Sequence, residues 1–518
     1  MVIAKDSILP RGLPKNTESL CPECRKIIIA TMSEKDGKVV MDKECPEHGH
    51  FSDVIWSDVE IYLRSEGLSY DGVGVENPFI PHAKVCPNDC GLCDLHLSHT
   101  ALANLDLTNR CNMKCPICFA NANQSGYVYE PSYDEVVKMM QVLRDSKPVA
   151  CPAIQFAGGE PTIYPQFVDV VRKAKELGFA QIQVATNGIM FANDFEFLKA
   201  STEAGLNTIY LQFDGMNDDI YMISRARKML DIKMKVIENV RKLDKRPSVV
   251  LVPVVVKGVT DNQVGPIFKY ALENSDVVRG INFQPVSFTG RINKDELAKQ
   301  RYTLPDLVKD FEEQTNGQIK KSDWFPVPSV VPLSTLASAF GGEPKVTFTT
   351  HPHCGLATYV FVQDTGHVVP LTSFVDVEPL FKELYELSKK VEIAKLKFPS
   401  KVKVYSILKK YTHEDKMPEG LDMNTFLKLL GSLMNDKSKE SLAKFSWKMM
   451  MIGGMHFQDL YNYDIERVKR CAIHYVVPDG RIIPFCAYNS GPTYREQVEK
   501  KFSVPIEEWR RTRGTEHT

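Results

Sequence analysis

Short apolar segments alternate with longer amphipathic segments between residues 100 and 300. The apolar segments have the composition of buried strands and cover 102–108, 153–157, 180–186, 207–213, 248–256 and 280–286. The segments between them have helical periodicity and cover 132–146, 165–178, 192–204, 228–244 and 261–274. Strands that alternate with helices pair in parallel through right-handed crossovers. The pattern therefore predicts an α/β fold with a partial (β/α)6 barrel of the TIM type, and a doubly wound sheet is the alternative.

The two ends of the chain have a different texture. Residues 1–99 are rich in Cys, Pro and Gly and contain only short apolar runs, which is typical of a small domain built around metal. Residues 301–518 mix Pro-rich stretches with long amphipathic segments. A chain of 518 residues exceeds one compact core. We therefore expect a metal-binding ribbon domain at 1–99, the barrel at 100–300 and a C-terminal substrate and auxiliary-cluster domain at 301–518.

Charge and hydropathy exclude some classes of function. The 64 basic and 65 acidic residues leave a net charge of −1, which argues against a nucleic-acid partner bound through a basic face. The N-terminus lacks the apolar core of a signal peptide. The strongest apolar run, 249–256, is shorter than the roughly 18 residues that a membrane helix needs. We expect a cytoplasmic protein that could still contact a membrane peripherally.

Unusual polar motifs follow the predicted strands, where active sites of such barrels lie. Cys111 follows the first strand, Gly158-Gly159-Glu160 the second, Asn187 the third and Asp214 the fourth. The strand boundaries follow from hydropathy alone, so the convergence of these polar motifs at the strand ends supports both the predicted fold and a common site.

The 13 cysteines carry the strongest chemical signal, and nine of them lie between Cys21 and Cys118. Close spacing in a long chain without a signal peptide indicates metal ligands rather than disulfides. Cys111-x3-Cys115-x2-Cys118 offers three thiolates on one loop. A 4Fe–4S cluster needs four ligands, so three leave one iron open to a small molecule.

This spacing after the first strand of a β/α array resembles the radical S-adenosylmethionine (SAM) superfamily. The resemblance implies that the open iron binds SAM. It also implies that Gly158, Gly159 and Glu160 match the motif that receives the SAM amino group, and that Asn187 and Asp214 match positions that contact its ribose or carboxylate. One departure is Ile117 before the third cysteine, where the superfamily often has an aromatic residue near the adenine.

Three further groups have ligand spacing. Cys21-x2-Cys24 and Cys45-x2-His48 predict a closed, structural site for zinc or a single, rubredoxin-like iron. Cys86-x3-Cys90-x2-Cys93 predicts a second 4Fe–4S cluster that needs one more ligand, for which His96 and His99 are nearby candidates. Three further cysteines are far apart in the sequence: Cys354, Cys471 and Cys486. We expect all three to bind another iron–sulfur cluster, or two of them to bind it while the remaining one completes the Cys86 site. We therefore expect one or two auxiliary 4Fe–4S clusters.

Several longer runs narrow the resemblance: CPEC and CPEHG near the N-terminus, CPNDCGLC at 86–93, FQPVSFTGR at 283–291, DWFPVPS at 323–329, HPHCGLATYVF at 351–361 and GRIIPFCAYNSGPTYRE at 480–496. They resemble the archaeal tetraether lipid synthase family over nearly the whole chain. That resemblance implies a radical SAM enzyme that joins the terminal methyl carbons of isoprenoid phytanyl chains by sp3 C–C bond formation. A 5′-deoxyadenosyl radical would abstract hydrogen, and an auxiliary cluster would hold the intermediate.

The same resemblance implies an ether-lipid substrate, an apolar groove formed by 447–452 and 325–336, and a ferredoxin- or flavodoxin-like electron donor. Two other functions remain open. Related sequences are described as radical SAM methyltransferases acting on a dihydropterin, which would not need a long apolar cavity. A non-catalytic iron–sulfur electron carrier is the other alternative, but it would have no use for the Gly-Gly-Glu motif.

Overall fold

The computed structural model describes residues 4–363, 366–394, 398–427 and 449–513. Its strands are β1 (Ala4–Asp6), β2 (Lys15–Leu20), β3 (Ile27–Lys35), β4 (Lys38–Cys45), β5 (Gly49–Trp56), β6 (Tyr70–Gly72), β7 (Leu102–Thr108), β8 (Tyr127–Tyr129), β9 (Ala153–Gly158), β10 (Gln181–Thr186), β11 (Thr208–Gln212), β12 (Ser248–Val252), β13 (Val254–Val255), β14 (Val278–Pro285), β15 (Phe325–Pro326), β16 (Gly355–Val362), β17 (Val368–Pro370), β18 (Met449–Met455), β19 (Ile473–Val476), β20 (Ile482–Pro484) and β21 (Ser503–Pro505).

The α-helices are α1 (Val59–Glu66), α2 (Tyr133–Arg144), α3 (Phe167–Glu176), α4 (Ile189–Asn193), α5 (Phe195–Ala204), α6 (Asp218–Arg225), α7 (Leu230–Arg241), α8 (Val264–Glu273), α9 (Leu297–Gln300), α10 (Leu304–Gln314), α11 (Val331–Gly341), α12 (Val377–Ala394), α13 (Phe398–Lys410), α14 (Ile465–Lys469), α15 (Phe485–Ser490), α16 (Tyr494–Lys501) and α17 (Ile506–Arg513).

The six predicted strands are confirmed as β7, β9, β10, β11, β12 and β14, which pair in parallel in that order. Two parallel strands from the C-terminal region extend this sheet, with β19 beside β7 and β18 beside β14. Antiparallel strands then flank it, β20 on β19 and β16 on β18. The predicted domain boundaries at 99 and 300 stay predictions, while the sheet itself includes strands from both sides of residue 300.

The sheet curls into a barrel, as predicted. The Cys118 N–H donates to the Arg291 carbonyl at 3.0 Å, and the Arg291 N–H donates back at 2.9 Å. These residues follow β7 and β14, which four other strands separate in the sheet. Loops so far apart in strand order can meet only because the sheet is strongly curved.

The outer face of the barrel strands is apolar and packs against helices. Leu105, Phe156, Val184, Leu211 and Leu251 are completely buried there. Because strand side chains alternate between faces, their neighbours in sequence point into the barrel. The predicted helices are confirmed with shorter bounds, and α4 and α6 are additional helices.

The N-terminal ribbon is the antiparallel sheet β2-β3-β4-β5, which docks on the segment 458–464. Lys43 on β4 is buried and donates to the Leu20 carbonyl at 2.9 Å and to the Leu460 carbonyl at 2.6 Å. Ser19 Oγ donates to the Tyr463 carbonyl at 2.5 Å. Burial lowers the pKa of Lys43 to about 8. The ribbon is therefore fastened to the barrel by buried polar contacts.

Candidate active site and metal centres

Side chains from distant parts of the chain hold the loop that carries Cys111, Cys115 and Cys118. The Cys111 N–H donates to Asn123 Oδ1 at 2.9 Å, and Asn123 Nδ2 donates back to the Cys111 carbonyl at 2.8 Å. Arg291 Nε donates to the Cys115 carbonyl at 2.6 Å. The three thiols are half-buried. These contacts fix the loop through its backbone and do not use its sulfur atoms.

The Gly-Gly-Glu motif brings the end of β9 against the segment that leads into this loop. The Gly159 N–H donates to the Thr108 carbonyl at 2.7 Å, and the Glu160 N–H donates to the Arg110 carbonyl at 2.9 Å. A Cβ on Gly159 would lie 2.1 Å from the Arg110 oxygen, and one on Gly158 would lie 2.2 Å from the Thr108 oxygen. Only glycine permits this approach.

The Glu160 side chain is buried and joins the ends of β9 and β10. Its carboxylate accepts from Thr186 Oγ1 at 2.7 Å and from the Asn187 N–H at 2.9 Å. Burial raises its pKa, although these hydrogen bonds oppose the rise. Asn187 Nδ2 donates to Asn112 Oδ1 at 2.7 Å, inside the cysteine loop. Glu160 and Asn187, two of the five residues predicted to bind SAM, are thus joined to each other and, through Asn187, to this loop. The contacts of all five with SAM stay predictions.

Asp214 is completely buried and forms an ion pair with Arg225. Arg225 Nε and an Nη donate to its two oxygens at 2.6 and 2.9 Å. Another Arg225 Nη donates to the Ile117 carbonyl at 2.9 Å. Burial alone would raise the pKa of Asp214, but Arg225 outweighs it and lowers the pKa. The structure therefore places Asp214 behind Arg225, and Arg225 against the cysteine loop.

Sequence reasoning missed Arg225, Arg291 and the buried Lys233. Lys233 Nζ donates to the Asn187 carbonyl at 2.5 Å and to Gln212 Oε1 at 2.9 Å. Burial lowers its pKa to about 7. A lysine on the apolar stripe of α7 was the signal available for it. For Arg225 the available signal was Asn217, which marks the start of α6, the helix that carries Arg225. The Asn217 side chain caps this helix by accepting from the Ile220 N–H at 3.1 Å.

A cavity of about 420 Å³ opens beside Cys111. Its lining includes Cys111, Asn112, Lys114, Arg225 and Arg227, with no acidic side chain among its lining residues. The volume is within the range of small-molecule sites. Three thiols with a positively charged cavity beside them fit a 4Fe–4S cluster with an open iron and a ligand that carries a carboxylate, such as SAM.

The ribbon cysteines form a compact donor set, as predicted. Cys24 Sγ lies 3.9 Å from Cys45 Sγ, and His48 Nδ1 lies 3.5 Å from Cys45 Sγ and 3.7 Å from Cys21 Sγ. Four ligands around a tetrahedral zinc with Zn–S bonds near 2.3 Å are about 3.8 Å apart. These residues therefore fit a mononuclear tetrahedral metal ion.

The Cys86 group surrounds a small pocket against α14. Cys86, Cys90, Cys93 and His96 line it together with Lys469. Burial raises the pKa of Cys86 to about 12, and Cys93 adds to the rise. His96 Nε2 is 2.8 Å from the Cys471 carbonyl, and His99 Nε2 accepts from the Thr347 N–H at 3.0 Å. His99 Nε2 is thereby engaged, and the auxiliary cluster itself stays a prediction.

The structure brings the three separated cysteines of the C-terminal region together. Cys471 and Cys486 lie on either side of the predicted hairpin, which β19 and β20 form. Arg467 Nε donates to Cys354 Sγ at 3.4 Å, and the Gln458 N–H donates to Cys486 Sγ at the same distance. Burial raises the pKa of the Cys471 thiol. The nearby Cys486 and Cys354 thiols raise it further.

Fold and site together define a radical SAM enzyme. The model of the Radical SAM superfamily matches residues 105–271, and that of the HMPTM N-terminal zinc ribbon domain matches residues 13–57. The chain is 48% identical over 512 residues to a 7,8-dihydro-6-hydroxymethylpterin dimethyltransferase of Methanocaldococcus jannaschii. That alignment covers 96% of this chain and 97% of the relative. The chain therefore belongs to the family of that protein.

More distant similarities concern parts of the chain. A GTP 3′,8-cyclase of Limosilactobacillus fermentum is 27% identical over 217 residues, which cover 40% of this chain and 60% of that protein. The crystal structure of Streptococcus suis SuiB bound to S-adenosylmethionine covers 43% of this chain and 48% of that one, at 18% identity and a TM-score of 0.34.

The predicted ether-lipid coupling is wrong, and so is the predicted ether-lipid partner. The full-length relative is named for a pterin and not for a lipid. In the predicted groove segment 447–452, β18 lies between β14 and β16 and buries Met450 and Ile452 completely, so these two side chains face no open groove. Trp447 and Lys448 lie outside the described residues. Within the described ranges, no helix is both long and apolar enough for a membrane span.

Proposed function

We propose that this protein is a radical SAM methyltransferase that acts on a dihydropterin. The observation that carries the proposal is the polar inner face of the barrel. A single ring system bearing several hydrogen-bonding groups suits such a surface, whereas a hydrocarbon chain does not. The full-length similarity to the pterin dimethyltransferase supports the same substrate class.

Amide side chains cover the deeper part of this inner face. Asn104 on β7, Gln155 on β9 and Gln183 on β10 lie in register and are joined side chain to side chain. Gln183 Nε2 donates to Gln155 Oε1, and Gln155 Nε2 donates to Asn104 Oδ1 at 2.6 Å. An amide has four hydrogen-bonding positions, so each retains capacity beyond this chain.

A second polar group faces it from the other side of the barrel. Asn282 on β14 donates to the Tyr210 hydroxyl on β11, across the intervening β12. The inward positions that follow Gln155 and Gln183 are Ala157 and Ala185, whose small side chains leave room toward the open end. Polar walls with small residues above them suit a flat, polar heterocycle.

Magnitudes favour this substrate over an isoprenoid chain. A buried polar group left without a partner costs about 1–3 kcal/mol. An apolar chain in the barrel would deprive several amides of water without replacing their hydrogen bonds. A pterin offers ring nitrogens, an amino group and an oxo group that can replace them.

The other residues have supporting roles in the proposal. Cys111, Cys115 and Cys118 would hold the 4Fe–4S cluster, and the cationic cavity beside Cys111 would hold SAM. Bound there, the cluster and SAM supply a 5′-deoxyadenosyl radical that can remove hydrogen from an unactivated C–H bond. The Cys86 and Cys354 groups would hold auxiliary clusters, the ribbon would hold zinc, and a ferredoxin- or flavodoxin-like protein would supply electrons.

The test is an anaerobic assay of the iron-reconstituted protein with SAM, dithionite and 7,8-dihydro-6-hydroxymethylpterin. We expect 5′-deoxyadenosine together with pterin that has gained one or two methyl groups, read by mass spectrometry. Cys111→Ala should abolish both products. Because SAM is the only one-carbon donor in this mixture, a parallel assay adds a tetrahydropterin-bound one-carbon unit as a second donor. Deoxyadenosine without methylated pterin in both assays, or coupling of an added dialkyl-ether phospholipid, would contradict the proposal. SAM with a deuterated methyl group would identify the source of the methyl.

A further inference from the structure

A histidine lies beside the C-terminal cysteines that no spacing pattern singled out. In the antiparallel pair of β16 and β18, Gly355 is opposite Met455, so Cys354 is opposite His456. The His456 N–H donates to the Cys354 carbonyl at 3.1 Å, which extends the ladder by that pair. Directly opposite residues point to the same face with their Cβ atoms about 5 Å apart. The imidazole of His456 and the thiol of Cys354 therefore project side by side.

His456 is buried, with only 2% of its surface exposed. Among the described residues, its Nε2 has no partner at hydrogen-bond geometry, although the Val286 carbonyl lies near the ring. Other buried histidines nearby differ, because His99 Nε2 accepts from the Thr347 N–H and His353 Nε2 lies 3.1 Å from the Tyr62 carbonyl. A buried nitrogen without a partner is costly, and the cost is avoided when the nitrogen binds a metal.

Two of the three sulfur atoms in the same group accept hydrogen bonds, whereas the Cys471 thiol donates to the Ile473 carbonyl at 2.9 Å. Arg467 joins the pair directly, because its Nε donates to Cys354 Sγ and an Nη donates to the His456 carbonyl at 2.6 Å. The Gln458 N–H, two residues after His456, donates to Cys486 Sγ. Such N–H donors stabilise thiolates that bind iron and adjust the cluster's reduction potential.

We propose that Cys354, Cys471, Cys486 and His456 together hold a 4Fe–4S cluster in which every iron has a protein ligand. The donor set and its geometry support this assignment, which does not depend on which substrate the enzyme methylates. It divides the cysteines so that none of these three is needed to complete the Cys86 site.

Four protein ligands give this cluster a different role from that of the Cys111 cluster. It has no open iron on which a substrate could bind, which suits a role in electron transfer. Phe119 follows Cys118, Phe485 precedes Cys486, and their rings stack with centroids 5.5 Å apart. The proposed cluster is thus separated from the radical SAM loop by one aromatic pair.

The test uses the full-length protein, reconstituted with iron, sulfide and zinc so that the ribbon is diamagnetic. Histidine is labelled with ¹⁵N, SAM is left out, and the dithionite-reduced clusters are studied by pulsed EPR. We expect a strong ¹⁵N hyperfine coupling in the wild type and in the control His99→Gln, in which another buried histidine is replaced. His456→Ala should lose this coupling.

His456→Cys is the second variant, because a thiolate can replace the imidazole as an iron ligand. It should keep the iron and sulfide content of the wild type, lose the ¹⁵N coupling and lower the reduction potential of one cluster, since histidine ligation raises it. Cys354→Ser should lose about four irons per chain. Because His96 lines the Cys86 pocket and could itself bind iron, both His456 variants are also made in a His96→Gln background. A His96→Gln protein without histidine coupling, or coupling that persists in either combined variant, would overturn the proposal.

Discussion

Arg301 joins the ribbon to the barrel through two buried carboxylates, and replacing it by methionine should weaken that junction strongly. It lies 2.5 Å from Asp53 of β5 and 2.8 Å from Asp459, and none of the three side chains is more than 5% exposed. Arg301→Met keeps most of the volume but leaves two buried carboxylates without their cation. Removing one partner of a buried ion pair costs about 3–5 kcal/mol.

The pH dependence of this loss has a definite sign. Although burial alone would raise it, Arg301 holds the pKa of Asp459 at about 2, against an ordinary 3.8. That shift corresponds to about 2.5 kcal/mol of folding stability. This stability is present at pH values above the pKa of Asp459 in the unfolded chain and is lost as the pH falls toward 2. In Arg301→Met, burial would instead raise the pKa of Asp459, and the nearby Asp53 carboxylate would raise it further, while Lys43 and His456 would oppose the rise. The deficit should therefore be largest near neutral pH and shrink on acidification.

The assay is urea unfolding of the zinc-loaded protein from about pH 8 to about pH 5, with zinc release followed by a chromogenic chelator. Arg241→Met is the matched control, because Arg241 pairs with Asp276 at the surface, where a pair is worth about 0–1 kcal/mol. If Arg301→Met behaves like this control, or if its deficit grows on acidification, the assignment of Arg301 as the buried link is wrong.

Three further predictions concern the metal sites and the substrate. Gly159→Ala would place a Cβ 2.1 Å from the Arg110 oxygen, so the iron content should fall by about four per chain while zinc is retained. The control is Gly341→Ala, whose Cβ would have no neighbour closer than 3.7 Å and which should change neither the iron nor the zinc content. Cys24→Ser should lose the ribbon metal and lower the temperature of ribbon unfolding in calorimetry, whereas Cys151→Ser should keep that metal. Asn282→Leu should raise the KM for the dihydropterin about 10-fold, as expected for loss of one buried hydrogen bond, with uncoupled 5′-deoxyadenosine formation retained; an unchanged KM would remove Asn282 from the substrate site.

The sequence predicted those parts of the molecule whose signals are local. Apolar runs bounded by Gly and polar residues located the six barrel strands, and the spacing of Cys21, Cys24, Cys45 and His48 located the ribbon site. The strands β18 and β19 were not predicted as barrel strands, because their partners lie more than 160 residues away. Arg225 and His456 were missed for a related reason. Arg225 contacts the cysteine loop and His456 lies opposite Cys354, and only the folded chain brings these partners together.

The substrate was mispredicted because the most recognisable runs are scaffold. In FQPVSFTGR, Arg291 binds the cysteine loop and the Phe288 N–H donates to Asp459 at 2.9 Å. In GRIIPFCAYNSGPTYRE, Ser490 Oγ donates to the Gln458 carbonyl and Arg495 pairs with Asp106. Residues that assemble metal centres can be shared by enzymes with unrelated substrates. The residues on the inner face of the barrel are more informative about the substrate.

The position of β19 has a consequence for biosynthesis. β7 is the first strand of the barrel to leave the ribosome, yet its neighbour β19 is made some 370 residues later. Until then the nascent chain carries an unpaired edge at β7, and a second at β14 until β18 arrives. A fragment that ends near residue 300 would keep both edges and should self-associate, so the enzyme's cysteine loop is best studied in the intact polypeptide.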